Sequence, residues 1–175
     1  MGVSPGGMSV FQRRGIDKSV LFNRTWHEYK YGFGNLSTDF WLGNEVIHQL
    51  TAIDSNKLYI ELKDTSLRSF HARYESFSIG PETDEYRLHV AGNFSGNVTH
   101  DYVTRGSYIL NGQPFVTPDR PDQAQCASRL DGGWWFNACE NVYLNGPFNT
   151  DYWVWKGSVD EYHYLEYTAM IITRG

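Results

Sequence analysis

Residues 57–64, KLYIELKD, alternate without a break. Leu58, Ile60 and Leu62 would face one way, and Tyr59, Glu61 and Lys63 the other. Residues 69–80 (SFHARYESFSIG) and 85–92 (EYRLHVAG) repeat the pattern. A period of two puts successive side chains on opposite sides of a strand. Three such runs in series predict an antiparallel meander with one buried face. The closing run, YLEYTAMIITR, alternates again at Leu165, Tyr167, Ala169 and Ile171 and is expected to return to the same sheet. Between these runs, residues 93–158 carry Gly, Asn, Asp, Pro and aromatics with no regular period. A compact domain keeps so long an irregular stretch when it carries function or is pinned covalently.

Two helices are expected ahead of the meander. NRTWHEYKYGFG (23–34) has Thr25 with Glu28 three residues on, a capping box, and Gly32 as a stop. WLGNEVIHQLT (41–51) starts at Gly43 or Asn44 and lines one face with Val46, Ile47 and Leu50. VFQRR (10–14) reads as a short strand, and residues 1–9 as flexible.

The chain has 175 residues, enough for one domain with a real core. Its 12 Tyr, 10 Phe and 6 Trp supply much buried area, and Tyr and Trp keep a polar handle. A net charge of −5 without a basic run argues against nucleic acid and anionic membranes as partners. No apolar stretch of membrane-spanning length occurs, so membrane insertion is not expected. The opening MGVSPGGMSV has no apolar core and does not read as a secretory signal. The chain is then either cytosolic or a piece of a longer secreted one.

Cys126 and Cys139 enclose a short loop. They are either a staple, contributing about 3 kcal/mol by loop closure, or two small buried thiols. Four sequons, at Asn23, Asn35, Asn93 and Asn97, lean toward a glycosylated chain in an oxidising, extracellular setting.

Catalytic signatures are missing. No G-x-S-x-G, P-loop or G-x-G-x-x-G occurs, and HEYKY has Tyr31 where a zinc helix needs its second His. The chain is not expected to be an enzyme. The best metal candidate is TPDRPDQAQC, with Asp119 and Asp122 in a Pro-punctuated turn. Calcium wants six to eight oxygens, and the alternative is a pair of Asx turns.

Several blocks occur together in a telling order: VFQRR, FNRTWHEYKYGFGNLSTDFWLGNEVIHQLT, YRLHVAG, GGWWFNAC, LNG, WKG and TAMIITR. From about residue 5 to 175 the chain closely resembles the fibrinogen C-terminal domain, the fibrinogen-related domain of ficolins, tachylectins, angiopoietins and tenascins. The resemblance implies an α+β fold: a central antiparallel sheet, short flanking helices and a loop-rich C-terminal subdomain for ligand and calcium. The domain would span 10–175. Its sheet subdomain would cover about 10–92 plus the returning strand 163–173, and the loop-rich part about 93–160. The resemblance also implies a Cys126–Cys139 disulfide. Met8 replaces the usual Trp, and the family's earlier Cys pair has no counterpart.

In lectin-like members the region around the second Cys forms a pocket for acetylated sugars or amines. Carried over, this points to Phe136, Cys139, Glu140, Tyr143 and Tyr152, with Trp134 and Trp135 as frame. This chain departs from that pattern. Phe136 replaces a common Tyr, Glu140 stands where a His is expected, and Tyr143 replaces an Asn. The loop from Gly146 to Trp155 is short, with Tyr152 as the available pocket tyrosine. A carboxylate at 140 would favour a cationic ligand against aromatic faces. For calcium, Asp119 matches the first Asp of the family pattern, but Pro121 occupies the second position and Asp122 falls one residue late.

The expected function is a secreted recognition module, lectin-like and of innate-immune type, binding glycans or acetylated or amine-bearing ligands. Upstream segments would oligomerise it for avidity. The competing expectation is a cell-surface or matrix protein-binding domain of angiopoietin or tenascin type, without a sugar pocket.

Overall fold

The structure, a computed structural model, describes residues 7–139, 141–157 and 162–175. Nine strands and three short helices form an α+β fold. The strands are β1 (Met8–Arg14), β2 (Phe33–Gly34), β3 (Phe40–Trp41), β4 (Asn56–Asp64), β5 (Ser69–Ile79), β6 (Leu88–Gly96), β7 (Val142–Tyr143), β8 (Val154–Lys156) and β9 (Tyr162–Arg174). The helices are α1 (Trp26–Tyr31), α2 (Asn44–Ala52) and α3 (Cys126–Arg129). The main sheet runs β2-β3-β1-β9-β4-β5-β6, and β8 joins β7 to the start of β9. Among the described residues, no helix is long and apolar enough to cross a membrane.

The meander forms as the alternation requires. In β4, Leu58, Ile60 and Leu62 are buried while Lys63 is exposed. The last strand inserts between β1 and β4, antiparallel to both. Its facing differs from the simple alternation. Leu58, Ile60 and Leu62 pair with Ile172, Met170 and Thr168, so those three share the core face. Tyr167, Ala169 and Ile171 pair with Lys63, Glu61 and Tyr59 on the other face. A bulge between Lys63 and Asp64 then shifts the register, and Leu165 returns to the core side. One extra residue flips every side chain beyond it, so the four positions do not share a face.

The capping box is present: Thr25 Oγ1 accepts from Glu28 N, and Glu28 Oε2 accepts from Thr25 N. Helix α1 stops at Gly32. Helix α2 starts after Gly43, and its buried residues are Asn44, Ile47 and Thr51, with Val46 and Leu50 half-buried. Strand β1 already begins at Met8, and β6 continues to Gly96. The sheet thus takes in Met8, Ser9 and residues 93–96, which the sequence assigned to the flexible start and the irregular region.

An aromatic cluster joins the two halves. Trp41 stands 5.8 Å from Phe11 and 5.9 Å from Trp135. Phe115 sits 5.1 Å from both Tyr29 and Trp135. Gly133 allows this approach, because a Cβ there would lie 2.7 Å from Tyr29 Cε2 and 2.9 Å from Phe115 Cε1.

Candidate functional site

Cys126 and Cys139 are bonded, with Sγ–Sγ 1.99 Å and Cα–Cα 5.2 Å. The bridge ties α3 to the end of GGWWFNAC. Within the loop it closes, Trp134 and Trp135 are frame. Their indole N–H groups donate to Val142 O and Tyr86 O, each at 2.8 Å.

The sheet register builds the nearest cavity. Strand β8 pairs with β9 so that Val154 opposes Tyr164 and Lys156 opposes Tyr162. Period two sends these four side chains to one face, while Trp155 and His163 turn inward and are buried. The rings of Tyr162 and Tyr164 stack at 6.1 Å with an interplanar angle of 9°. The loop before β8 adds Asp151 and Tyr152, and the disulfide adds Cys139. Val154, Tyr162, Tyr164, Asp151, Tyr152 and Cys139 line a cavity of about 190 Å³. The loop holds its own shape: Thr150 Oγ1 donates to Pro147 O and accepts from Tyr152 N.

Of the sequence-predicted ligand residues, Cys139 and Tyr152 meet in this cavity. Phe136 and Tyr143 do not. Phe136 is buried and packs on Tyr143 at 4.8 Å. Tyr143 has no accessible surface, and its hydroxyl donates to Leu130 O. Both are core, because an aromatic at position 143 on β7 points into the space between Trp134 and the glycine pair. Burial pushes the Tyr143 hydroxyl well above the usual tyrosine range. Glu140 lies outside the described residues. Sequence reasoning missed Asp151, Tyr162 and Tyr164. The signal was YHY, two tyrosines at strand spacing around an inward His.

A larger cavity, about 520 Å³, lies elsewhere, on the outer face of the sheet between Tyr59, His71, Asn97 and Tyr167. It is an open trough, without the disulfide wall or a paired tyrosine stack. The smaller cavity has the more specific chemistry.

Asp119 and Asp122 both hold backbone. Asp119 Oδ1 accepts from Trp26 N at 2.9 Å and from Thr117 Oγ1 at 2.7 Å, tethering the start of α1. Asp122 Oδ1 accepts from Cys126 N at 2.8 Å, capping α3. Among the described residues, no three His, Cys, Asp or Glu side chains stand together as a metal cluster. The two carboxylates would give calcium at most part of its six to eight oxygens, the rest coming from backbone carbonyls and water.

The four sequon asparagines are exposed. Asn35 Oδ1 accepts from Ser37 N, and Asn97 Oδ1 accepts from His71 N while its Nδ2 donates to Ser69 O.

This fold, with its disulfide-walled loop site, defines a family of binding modules. Residues 1–171 match the family described as fibrinogen beta and gamma chains, C-terminal globular domain, and the chain belongs to it. Bovine angiopoietin-4 is 42% identical over 151 residues, covering 85% of this chain and 29% of the angiopoietin. Ryncolin-4 from Cerberus rynchops is 41% identical over 152 residues, covering 85% of this chain and 42% of the ryncolin. The chain spans less than half the length of these relatives. The fibrinogen-like globe domain of human ANGPTL6 superimposes with a TM-score of 0.81 at 34% identity, over 97% of this chain and 79% of that one. A lamprey fibrin D-dimer, solved with the peptide ligand Gly-His-Arg-Pro-amide, gives 0.82 at 30% identity, over 97% and 62%. The family is one of non-enzymatic ligand-binding modules.

Proposed function

We propose that this chain is an extracellular recognition module that holds an amine-bearing or acetylated group of its ligand in the cavity of Tyr152, Tyr162 and Tyr164. The make-up of that cavity carries the reading: aromatic walls, a disulfide edge and one carboxylate, Asp151. Such a set favours a cation, by charge and by ring quadrupole. One of these rings already takes a cation, with Lys156 Nζ 5.6 Å from the Tyr162 centroid. The lamprey relative's peptide, with its arginine, supports a basic peptide as one ligand source. An acetylated sugar is the other, its methyl set against the tyrosines. The disulfide and the exposed sequons support an extracellular setting.

Calorimetric titration with Gly-His-Arg-Pro-amide, and separately with N-acetylglucosamine, tests the reading. Binding of the peptide, lost in Asp151→Asn, supports the amine arm. Binding of the sugar, lost in Tyr152→Ala but kept in Asp151→Asn, supports the acetyl arm. Heat from neither ligand rejects the cavity as the site. The angiopoietin likeness favours a second reading, a cell-surface or matrix protein as partner, with avidity from upstream segments. Capture of such a partner unaffected by acetylated sugars would support it. Calcium at Asp119 and Asp122 is part of the proposal: titrating chelated protein with calcium should raise its melting temperature, and an unchanged value would leave both residues as caps.

A further inference from the structure

Arg14 is 1% exposed, and among the described residues no carboxylate forms an ion pair with it. Buried charges are ordinarily paired, because removing an ion from water is costly. Here aromatic rings surround it. The guanidinium carbon lies 4.2 Å from the ring centroids of both Phe22 and Phe148, and 5.0 Å from that of Trp153. One amino group donates to Gly146 O. The Nε–H has no acceptor, and the buried indole N–H of Trp153 has none either. Among the described residues these two donors are unmet, and the Trp153 ring lies 5.0 Å from the guanidinium carbon. Each costs stability as long as it is unmet.

Arg14 lines a cavity of about 290 Å³ with Phe22 and Phe148, and Trp153 lines an adjoining one of about 250 Å³. Lys18 and Phe148 line both, so the two meet at one ammonium and one ring. Lys18 is exposed and pairs with Glu166 at 2.9 Å. Asp131 on the Arg14 cavity is exposed and accepts from Asn23 Nδ2 at 3.4 Å, and the Trp153 cavity carries two further carboxylates, Asp151 and the Lys18-paired Glu166.

We infer that Arg14 and Trp153, with Lys18 at the entrance, form an oxyanion subsite that takes a carboxylate or sulfate group of a ligand. The acceptor oxygens would meet the guanidinium Nε–H and the indole N–H, in a setting where desolvation strengthens each bond. Arg14 and Trp153 do not line the tyrosine cavity, which shares Asp151 and Tyr164 with the Trp153 cavity. Desolvation lowers the Arg14 pKa to about 10, outweighing the opposing pull of Tyr29, Tyr143 and Asp39.

Nitrogen–proton correlation spectra test this directly. The protein is titrated with sodium acetate, and separately with sodium sulfate, against sodium chloride at matched ionic strength. The expected result is that the Trp153 indole and Arg14 Nε–H resonances move together along one saturable curve. The other five of the six Trp indoles serve as internal controls. Trp153→Phe assigns the indole, and Lys18→Ala, at an exposed position, should weaken binding about threefold while leaving the fold intact. Acetate acting alone identifies a carboxylate ligand, and sulfate acting alone a sulfated one. Absence of a saturable shift with either salt, or equal movement of all indoles as in chloride, would overturn the inference.

Discussion

The meander and the stretch from 97 to 153 both bury large side chains, but they are built differently. In β4, β5 and β9 the backbone satisfies itself through ladders, and side chains have only to choose a face. Among the described residues from 97 to 153, the named elements are one four-residue helix and one two-residue strand, yet Trp134, Trp135, Tyr143 and Phe115 are among the largest fully buried side chains. There, backbone groups meet one another in turns and isolated bridges, and side chains take up others. Asn137 Nδ2 donates to Ile109 O, Asn141 Nδ2 to Ser107 O and Tyr108 O, and Asn145 Nδ2 to Gly133 O. The Trp155 indole donates to His100 O. A buried loop must answer for every polar backbone group. This one does so with turn and bridge bonds joined by Asn, Tyr and Trp side chains, which explains how a region rich in those residues folds without a period.

Raising the pH attacks the seam between the two regions and should have the largest effect. Burial holds the Tyr29 and Tyr143 hydroxyls protonated far above the usual tyrosine range. The stability tied to those raised values is complete below about pH 10, where unfolded tyrosines ionise, and is lost as pH climbs beyond it. Absorbance at 295 nm and far-ultraviolet dichroism should show the buried tyrosines ionising together with unfolding. Ionisation of all tyrosines while the ellipticity holds would mean the seam is open.

Trp135→Ala should cost about 4 kcal/mol, against about 1 kcal/mol for Ile60→Val in the sheet. Urea unfolding measures both, and an equal cost would remove the claim that the irregular region is true core. Replacing Cys126 and Cys139 by alanine should cost about 3 kcal/mol by the loop-closure account. Hydrogen exchange should rise between 126 and 145 and stay unchanged in β4 and β5; a uniform rise would show one cooperative unit instead of two. Asp119→Ala frees Trp26 N and should cost about 2 kcal/mol, the usual worth of a hydrogen bond to a charged group. Thr25→Ala, which removes the cap of α1, should cost about 1 kcal/mol in the same assay.

The two regions differed as much in legibility as in construction. The capping box at Thr25 and Glu28 and the core face of β4 could be read directly, because each depends on residues a few positions apart. The face of β9 could not. Its phase is set by a bulge opposite Lys63 and Asp64, about a hundred residues away in the chain. The candidate site was partly legible: Cys139 and Tyr152 followed from the family resemblance, whereas Asp151, next to Tyr152 in the same loop, was missed. Tyr162 and Tyr164 reach the cavity only because β8 pairs with β9. Phe136 and Tyr143 looked like ligand residues by position and proved to be core, since an aromatic beside a pocket and an aromatic beneath it have the same letter.

The sequence by itself determined the family, the strand meander, the helix start at Thr25 and the pairing of its two cysteines through resemblance. These rest on local period, on capping chemistry and on motif order. The tertiary structure alone decided which tyrosines share a cavity, that Asp119 and Asp122 hold helix starts, and that Arg14 is buried among three rings beside an unmet indole. Those are facts of distance between residues far apart in the chain, and distance is fixed only when the sheet register and the packing of the irregular region are fixed together.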